Sequence, residues 1–226
     1  PFYPEGGGQV SDTGWFITLN NSGKNEFEVV DVRKSLNNIV HLLKHVEFSA
    51  EEAKSLDQKE LSNLFGNNSK VTAIVDFTLR QATMRNHTAT HLAHKALQVV
   101  LGENVRQAGS LVNPHVLRFD FSHNKAMTQD EIDEVEKIVN YQILKNVLVE
   151  THESVPLAKA KEMGAMAMFD EKYDDHVRML NVPGFSLELC GGTHVTATGN
   201  IGLFKIISEG SVTSGVRRIE AVTGNN

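Results

Sequence analysis

Several features that would point to common protein classes are missing from this sequence. Its 226 residues include one cysteine, Cys190, which excludes an internal disulfide framework and favours a reducing compartment, here expected to be the cytoplasm. No apolar run approaches the roughly 18 residues of a membrane-spanning helix, and the first residues show no signal-peptide pattern, so no membrane partner is expected. Because the chain begins at Pro1 rather than methionine, we expect it to be part of a longer protein.

An excess of positive charge is also missing. With 22 basic against 28 acidic residues the net charge is −6, which argues against a broad nucleic-acid-binding surface. Local basic spots remain, among them the adjacent Arg217 and Arg218, so binding of RNA through one face stays open. The length and a hydrophobic content of 40% suit one large domain or two small ones.

Strand signals dominate the first part of the chain. Segments with β-forming composition or alternating polarity lie at 15–19, 27–32, 39–46 and 71–79. A polar stretch at 49–68 interrupts them and is expected to be an insertion. Short strands at this spacing predict a small barrel or sandwich.

Helix signals enter near residue 81. Residues 84–101 predict a helix that ends before Gly102, and Thr128 with Glu131 predicts a capping box at the start of a second helix. Further strand-like segments follow or separate these helices at 117–121, 147–151, 182–189, 201–208 and 216–222. Helices mixed with short strands predict an α+β fold with a mostly antiparallel sheet.

Two pairs of metal-ligating residue types stand about a hundred residues apart. His87 and His91 are four residues apart, which places them on one face of a helix. Cys190 and His194 flank a Gly-Gly turn that can bend both side chains toward one point. Each pair alone could be structural: a polar helical stripe in one case, a small buried thiol in the other. Together they form a four-ligand set that suits Zn²⁺.

The chemistry of such a site is left open by its residues. A metalloprotease would carry glutamate directly after the first histidine, where this chain has Thr88. Glu188 is a candidate base or an outer partner of a ligand, and it could equally be a solvated carboxylate at a strand end. Four protein ligands are typical of structural zinc, so catalysis would need one loose ligand. Cys190 is the candidate for that, with a nucleophilic role as the alternative.

A glycine-rich loop precedes the first strands. Gly6, Gly7 and Gly8 lead into Gln9, so this stretch forms either a tight hairpin or a loop that presents the Gln9 amide to a small polar substrate.

With these residues assembled, the chain resembles the editing region of bacterial-type alanyl-tRNA synthetases. The similar stretches are 2–9, 86–91, 107–110, 117–122, 189–195 and 217–224. Threonyl-tRNA synthetase editing domains share the two ligand pairs but typically lack the glycine-rich front part. The resemblance implies a truncated, partial β-barrel subdomain over 1–82, followed at 83–226 by a zinc-containing editing core of antiparallel sheet packed on helices.

The resemblance also implies a function. The parent enzyme would ligate alanine to tRNA(Ala) with ATP, and this region would hydrolyse Ser-tRNA(Ala) and Gly-tRNA(Ala) at the tRNA 3′ end. Zinc would be bound by His87, His91, Cys190 and His194. Catalytic roles would fall to Gln9, Cys190 and His91, and substrate contacts to Gly7, Gly8, Gln9, Ala108, Gly109, Ser110 and Arg217. The alternatives are a free-standing aminoacyl-tRNA deacylase and a non-catalytic RNA-binding module with structural zinc.

Overall fold

The structure, a computed structural model, describes residues 1–20, 23–36, 38–46, 59, 70–166 and 173–224. Its strands are β1 (Gly14–Asn20), β2 (Gly23–Ser35), β3 (Asn38–His45), β4 (Lys70–Val75), β5 (Gln107–Val112), β6 (Leu117–Ser122), β7 (Glu150–Pro156), β8 (His176–Val182), β9 (Ser186–Leu189), β10 (Phe204–Thr213) and β11 (Val216–Thr223). Its helices are α1 (Phe77–Leu101), α2 (Gln129–Lys145) and α3 (Leu157–Glu162), with a 3₁₀ turn at Thr198–Ile201. The strands pair antiparallel throughout, so the predicted α+β fold with mostly antiparallel sheet is confirmed.

The chain divides into two compact units. The first comprises Pro1–Gly6 and Val10–Arg80, and the second comprises Gly7–Gln9 and Gln81–Asn226. The second unit is therefore not contiguous in sequence, because it includes three residues of the glycine-rich loop. The domain boundary that the resemblance implies after residue 82 stays a prediction.

One antiparallel sheet makes up most of the first unit. Its strand order is β3-β2-β1-β4, and Phe2, Val29 and Val32 form its buried core. Among the described residues these four strands form an open sheet, with β3 and β4 at the edges, and they close no barrel. The expected insertion at 49–68 lies outside the described residues, except for Lys59.

The strand predicted at 71–79 is wrong in its last four residues. Strand β4 ends at Val75, and helix α1 begins at Phe77, seven residues before the predicted start. Asp76 causes the switch, since its side chain accepts a hydrogen bond from the backbone amide of Leu79 at 3.1 Å and caps the helix. The alternation of apolar residues continues by chance into the first helical turn.

A four-stranded sheet with two helices forms the main body of the second unit. The strand order is β10-β11-β6-β5, and apolar side chains of α1, α2 and this sheet share one buried core. Helix α2 begins with the predicted capping box between Thr128 and Glu131 and ends at Asn146 in a left-handed conformation. Val135, Val139 and Ile143 are the buried apolar residues of this helix.

A smaller sheet carries the thiol motif. Strands β7, β8 and β9 form it, and the segment predicted as one strand at 182–189 is the hairpin turn between β8 and β9 plus strand β9. Cys190 follows the last residue of β9 directly. No helix within the described parts of the chain is long and apolar enough to cross a membrane.

Candidate metal centre and adjoining cavity

The two ligand pairs meet in the second unit. His87 and His91 lie on α1 one turn apart, and the ligand atoms of these two residues, Cys190 and His194 all lie within 4.8 Å of one another. Cys190 Sγ is 3.5 Å from His87 Nε2 and 3.3 Å from His194 Nε2. The sequence therefore predicted correctly which four side chains come together.

Gln9 fixes the orientation of the first histidine. Its Oε1 accepts a hydrogen bond from the backbone amide of Thr193 at 2.9 Å, and its Nε2 donates to Thr193 Oγ1 at 2.9 Å. His87 Nδ1 lies 2.7 Å from the same Oε1. Because Oε1 only accepts, Nδ1 must carry the proton, and the lone pair of His87 is on Nε2, which faces Cys190.

The same arrangement recurs at His194. Thr88 Oγ1 donates its only proton to the Met84 carbonyl oxygen at 3.0 Å, so it can only accept from His194 Nδ1, which lies 3.3 Å away. The lone pair of His194 is consequently on Nε2, which faces Cys190.

His91 follows the same rule with a charged partner. Its Nδ1 lies 2.6 Å from Glu188 Oε2 and donates to that carboxylate. His91 Nε2 is buried and has no hydrogen-bond partner among the described residues. All three imidazoles thus have Nδ1 bound to an outer partner, and the Nε2 atoms of His87 and His194 face Cys190. This is the pattern found around metal-binding histidines.

Two distances within this cluster are close to those of a tetrahedral metal site. With metal–sulfur and metal–nitrogen bonds of about 2.3 and 2.05 Å, tetrahedral ligands lie roughly 3.3–3.6 Å apart. The two Sγ–Nε2 distances of 3.5 and 3.3 Å agree with that spacing. The His₃Cys cluster could therefore hold a metal ion, with three nitrogens and one sulfur as ligands.

The turn that carries Cys190 is held in two ways. An added Cβ at Gly192 would lie 2.1 Å from His87 Cε1, so only glycine fits there. Arg178 Nη1 donates to the carbonyl oxygens of Cys190 and Gly192 at 3.0 and 2.7 Å, and Arg178 Nε pairs with Glu153 at 2.8 Å. The position of the thiol is thus set by packing on one side and by a guanidinium on the other.

Charges within the cluster shift its titrations in the metal-free protein. Burial raises the pKa of Cys190, but the positive charges of His87, His91 and His194 outweigh burial and hold the pKa well below its usual range. Burial lowers the pKa of His194 and the charge of His87 lowers it further, to about 3. The cluster therefore favours a thiolate, the form in which cysteine binds metals.

Glu188 acts as a partner of His91. Burial raises the pKa of Glu188, but the charge of His91 outweighs it and brings the pKa to about 2. The pKa of His91 is lowered by burial and raised more strongly by Glu188 and Cys190, so it lies well above its usual value. A carboxylate with so low a pKa is a weak general base. Its contacts suit the outer-partner role that the sequence left open.

A cavity of about 250 Å³ adjoins the cluster and is lined by Cys190, His87 and His91. Of the expected substrate-binding residues, Gly7 and Ser110 line this cavity. Gly8 does not, but it supports the wall, since an added Cβ there would lie 2.2 Å from Ser110 Oγ.

The remaining expected site residues lie away from this cavity. Gln9 is buried against His87 and does not line the cavity. Ala108 is exposed, and Gly109 lies beside the Asp120 side chain. Arg217 forms a two-bond ion pair with Glu209, with both distances 2.6 Å, and Arg218 pairs with Asp120 in the same way.

Several residues with clear roles were not singled out from the sequence. Thr88 and Thr193 lie inside the two ligand motifs, so their position between or beside ligands was an available signal. Arg178 lies on β8, twelve residues from Cys190, and no local pattern connects it with the thiol.

Comparison with known proteins gives consistent matches. Residues 177–220 match the family described as the threonyl and alanyl tRNA synthetase second additional domain. The alanine–tRNA ligase of Carboxydothermus hydrogenoformans is 48% identical over 225 residues, which is 99% of this chain and 24% of that ligase. Those of Neisseria meningitidis and Fervidobacterium nodosum are 49% and 50% identical over 226 residues, all of this chain and 24% of each ligase. The chain spans about a quarter of the length of these curated relatives, and it belongs to the alanyl-tRNA synthetase family.

Proposed function

We propose that this chain is the editing region of an alanyl-tRNA synthetase and hydrolyses the ester of Ser-tRNA(Ala) and Gly-tRNA(Ala). The observation that supports this most directly is the cavity of about 250 Å³ at the His₃Cys cluster, in a chain that matches alanine–tRNA ligases along its whole length. The ester of an aminoacyl-tRNA is already activated, so a site that binds it and polarises its carbonyl can be sufficient. The parent synthetase and tRNA(Ala) are the proposed partners, and the proposed editing core begins near residue 83.

We assign Zn²⁺ as the ion of the cluster. Three imidazoles and one thiolate are a borderline-soft ligand set, and the distances agree with tetrahedral zinc. When bound, zinc would supply Lewis-acid polarisation of a carbonyl or activation of a water. Cys190 lines the cavity and sits on the Gly-Gly turn, so it is the ligand best placed to exchange with substrate.

The roles of the surrounding residues follow from their contacts. Gln9 touches His87 and Thr193 but not the cavity, so it is a positioning residue that keeps Nε2 of His87 aimed at the metal. Glu188 does the same for His91. Cys190 and His91 line the cavity and are the proposed catalytic residues, since both would hold the zinc beside the reacting ester.

Polar groups of the cavity wall can distinguish serine from alanine. Ser110 Oγ accepts a hydrogen bond from Gln107 Nε2 at 3.3 Å, and both residues line the cavity. The hydroxyl proton of Ser110 is then available for the seryl hydroxyl. When alanine enters instead, the Ser110 hydroxyl proton loses this partner, and such a loss can discriminate by orders of magnitude.

Deacylation by the purified chain tests this proposal. The chain should release serine and glycine from mischarged tRNA(Ala) and should spare Ala-tRNA(Ala). His91→Ala and Cys190→Ala should lose both bound zinc and activity, because each removes a ligand. Gln9→Ala should slow hydrolysis by about 10- to 100-fold, as is usual when an outer partner of a metal ligand is removed. Equal rates for the wild type, His91→Ala and Cys190→Ala would refute it.

A non-catalytic RNA-binding module with structural zinc is the second candidate. It is favoured by the four convergent protein ligands, which are typical of structural sites. In that case the zinc-loaded chain would bind tRNA without hydrolysing any ester, and a chelator would unfold the second unit. Spectroscopy of the zinc site, or of a cobalt-substituted site, would show whether four protein ligands stay bound when a substrate analogue is added.

A further inference from the structure

A second cavity of about 310 Å³ opens beside the first. His94, Gln107 and Met166 line both cavities, so the two are neighbours in the second unit that share one wall. The new residues that the second cavity adds are Lys95, Gln98, Glu103 and Arg106. The two cavities therefore adjoin one another at these three residues.

Two cations of the second cavity have unused hydrogen-bonding capacity. Lys95 is half-buried on α1 and forms no ion pair with any described residue. Arg106 donates from Nη1 to the Val105 carbonyl oxygen at 3.0 Å and to the Glu103 carbonyl oxygen, while its Nε and Nη2 have no partner in the described chain. Glu103 is the one carboxylate in the lining, so the cavity carries two positive charges against one negative.

The shared wall also offers unsatisfied polar atoms. His94 is only 6% exposed, and neither of its ring nitrogens makes a hydrogen bond to a described residue. Its Nδ1 lies 3.5 Å from Glu188 Oε1, at the edge of hydrogen-bonding range. Buried polar groups are nearly always paired in folded proteins. Glu188 is the distant partner of Nδ1, so Nε2 is the atom left for a ligand. The observation is independent of the two cations and points to the same place.

We propose that the second cavity binds the phosphodiester backbone of a single-stranded RNA 3′ end, with Lys95 and Arg106 contacting phosphate oxygens. This inference rests on the proposed function, because it assumes that the esterified terminal ribose occupies the first cavity. The nucleotides that precede that ribose must leave the cavity along its rim, and the neighbouring cavity with a net positive lining supplies a path. The site is small, which agrees with a chain whose net charge of −6 excludes a broad nucleic-acid surface.

The expected effect follows from counterion release. For single strands each phosphate contact contributes about −0.7 to the slope of log K against log salt, so at about 0.1 M salt one contact is worth roughly a fivefold change in affinity. Loss of both contacts should therefore weaken binding about 25-fold and reduce the slope by about 1.4.

The test measures binding of uncharged RNA, so that it does not depend on hydrolysis. A short single-stranded RNA with the tRNA 3′-terminal sequence is titrated with the full chain at several salt concentrations, for the wild type, Lys95→Ala, Arg106→Ala and the double variant. Lys137→Ala is the matched control, because that lysine pairs with Glu134 on the surface of α2 and lines neither cavity. Glu103→Gln should strengthen binding, since it removes the one negative charge of the lining.

The outcomes separate this inference from the function it rests on. Weaker binding and a smaller salt slope in the double variant, with an unchanged Lys137→Ala, support the site even if the wild type hydrolyses no ester. An unchanged affinity and slope in the double variant overturn it even if the wild type deacylates Ser-tRNA(Ala). Inorganic phosphate is added as a competitor, with chloride at equal ionic strength as the reference. If phosphate displaces the RNA no better than chloride does, the ligand is the RNA strand and not a simple anion. Competition at low phosphate concentration would show a simple anion site and overturn the assignment to RNA.

Discussion

Replacement of Gly192 by alanine should disable the metal centre while Gly191→Ala leaves it intact. An added Cβ at Gly192 would lie 2.1 Å from His87 Cε1, 2.4 Å from His87 Nδ1 and 2.9 Å from Gln9 Oε1. At Gly191 the same atom would meet nothing within 4 Å. The two glycines are adjacent in one turn, so they form a matched pair for a single added methyl group.

The magnitude follows from the size of the clash. Carbon atoms in contact lie about 3.5 Å apart, so the ring of His87 or the turn itself must retreat by more than about 1 Å. Metal sites tolerate ligand displacements of only about 0.2 Å. We therefore expect Gly192→Ala to lower zinc affinity by at least about 10- to 100-fold, the loss typical of a disturbed outer shell, and to cost about 1–3 kcal/mol of stability as an overpacked site.

Competition with a chromophoric zinc chelator measures the affinity, and urea unfolding of the metal-free variants measures the stability. Gly191→Ala should keep the affinity of the wild type, although it can affect substrate binding because Gly191 lines the first cavity. Equal zinc affinities in the two variants would contradict the reasoning. They would mean that the turn and the His87 ring move apart without changing the ligand positions.

Three further results are expected. Arg178→Met should weaken zinc binding about tenfold, because it removes the hydrogen bonds to the two carbonyl groups of the Cys190 turn. Glu153→Gln should change zinc binding little, because the side chain of Glu153 is 73% exposed. Chelator competition compares the two variants. Thr128→Ala should cost about 1 kcal/mol in urea unfolding through loss of the α2 cap, and an unchanged midpoint would contradict that role. The depressed pKa of Glu188, about 2 against an unperturbed 4.5, means that its stabilising contribution is present above pH 4.5 and is lost as the pH falls toward 2. In the metal-free protein Glu188→Gln should therefore flatten the stability curve over that acidic range, and a curve as steep as that of the wild type would contradict the pairing with His91.

Local patterns in the sequence were sufficient where one interaction decides the structure. The spacing of His87 and His91 fixes them on one helix face, and Thr128 with Glu131 specifies the start of α2, as the structure has it. The meeting of the two ligand pairs was also predictable. The Gly-Gly turn can bend Cys190 and His194 toward one point, and a single metal ion bound by all four residues explains both pairs. These inferences depend on residues near one another or on chemistry that few arrangements satisfy.

Long-range contacts and competing periods explain what the sequence did not show. Phe77 and Leu79 continue the apolar alternation of β4, which predicts a strand. The side chain of Asp76 nevertheless caps a helix there, and this one hydrogen bond decides the local structure against the alternation. Arg178 reaches Cys190 through the turn geometry of β8 and β9, which no spacing rule encodes. The sequence left open that the Gln9 amide faces a substrate. In the structure this amide is hydrogen-bonded to His87 and Thr193.

The membership of Gly7–Gln9 in the second unit has a consequence for the order in which the protein can be made. Gln9 is synthesised before all four ligands, and its partner Thr193 follows 184 residues later. Closing so long a loop is entropically costly and gains its contacts only at the end. The centre can thus be completed only after Thr193 and His194 have been synthesised. A shortened chain that starts after the first unit would still carry all four ligands, but His87 would lack the amide that orients it.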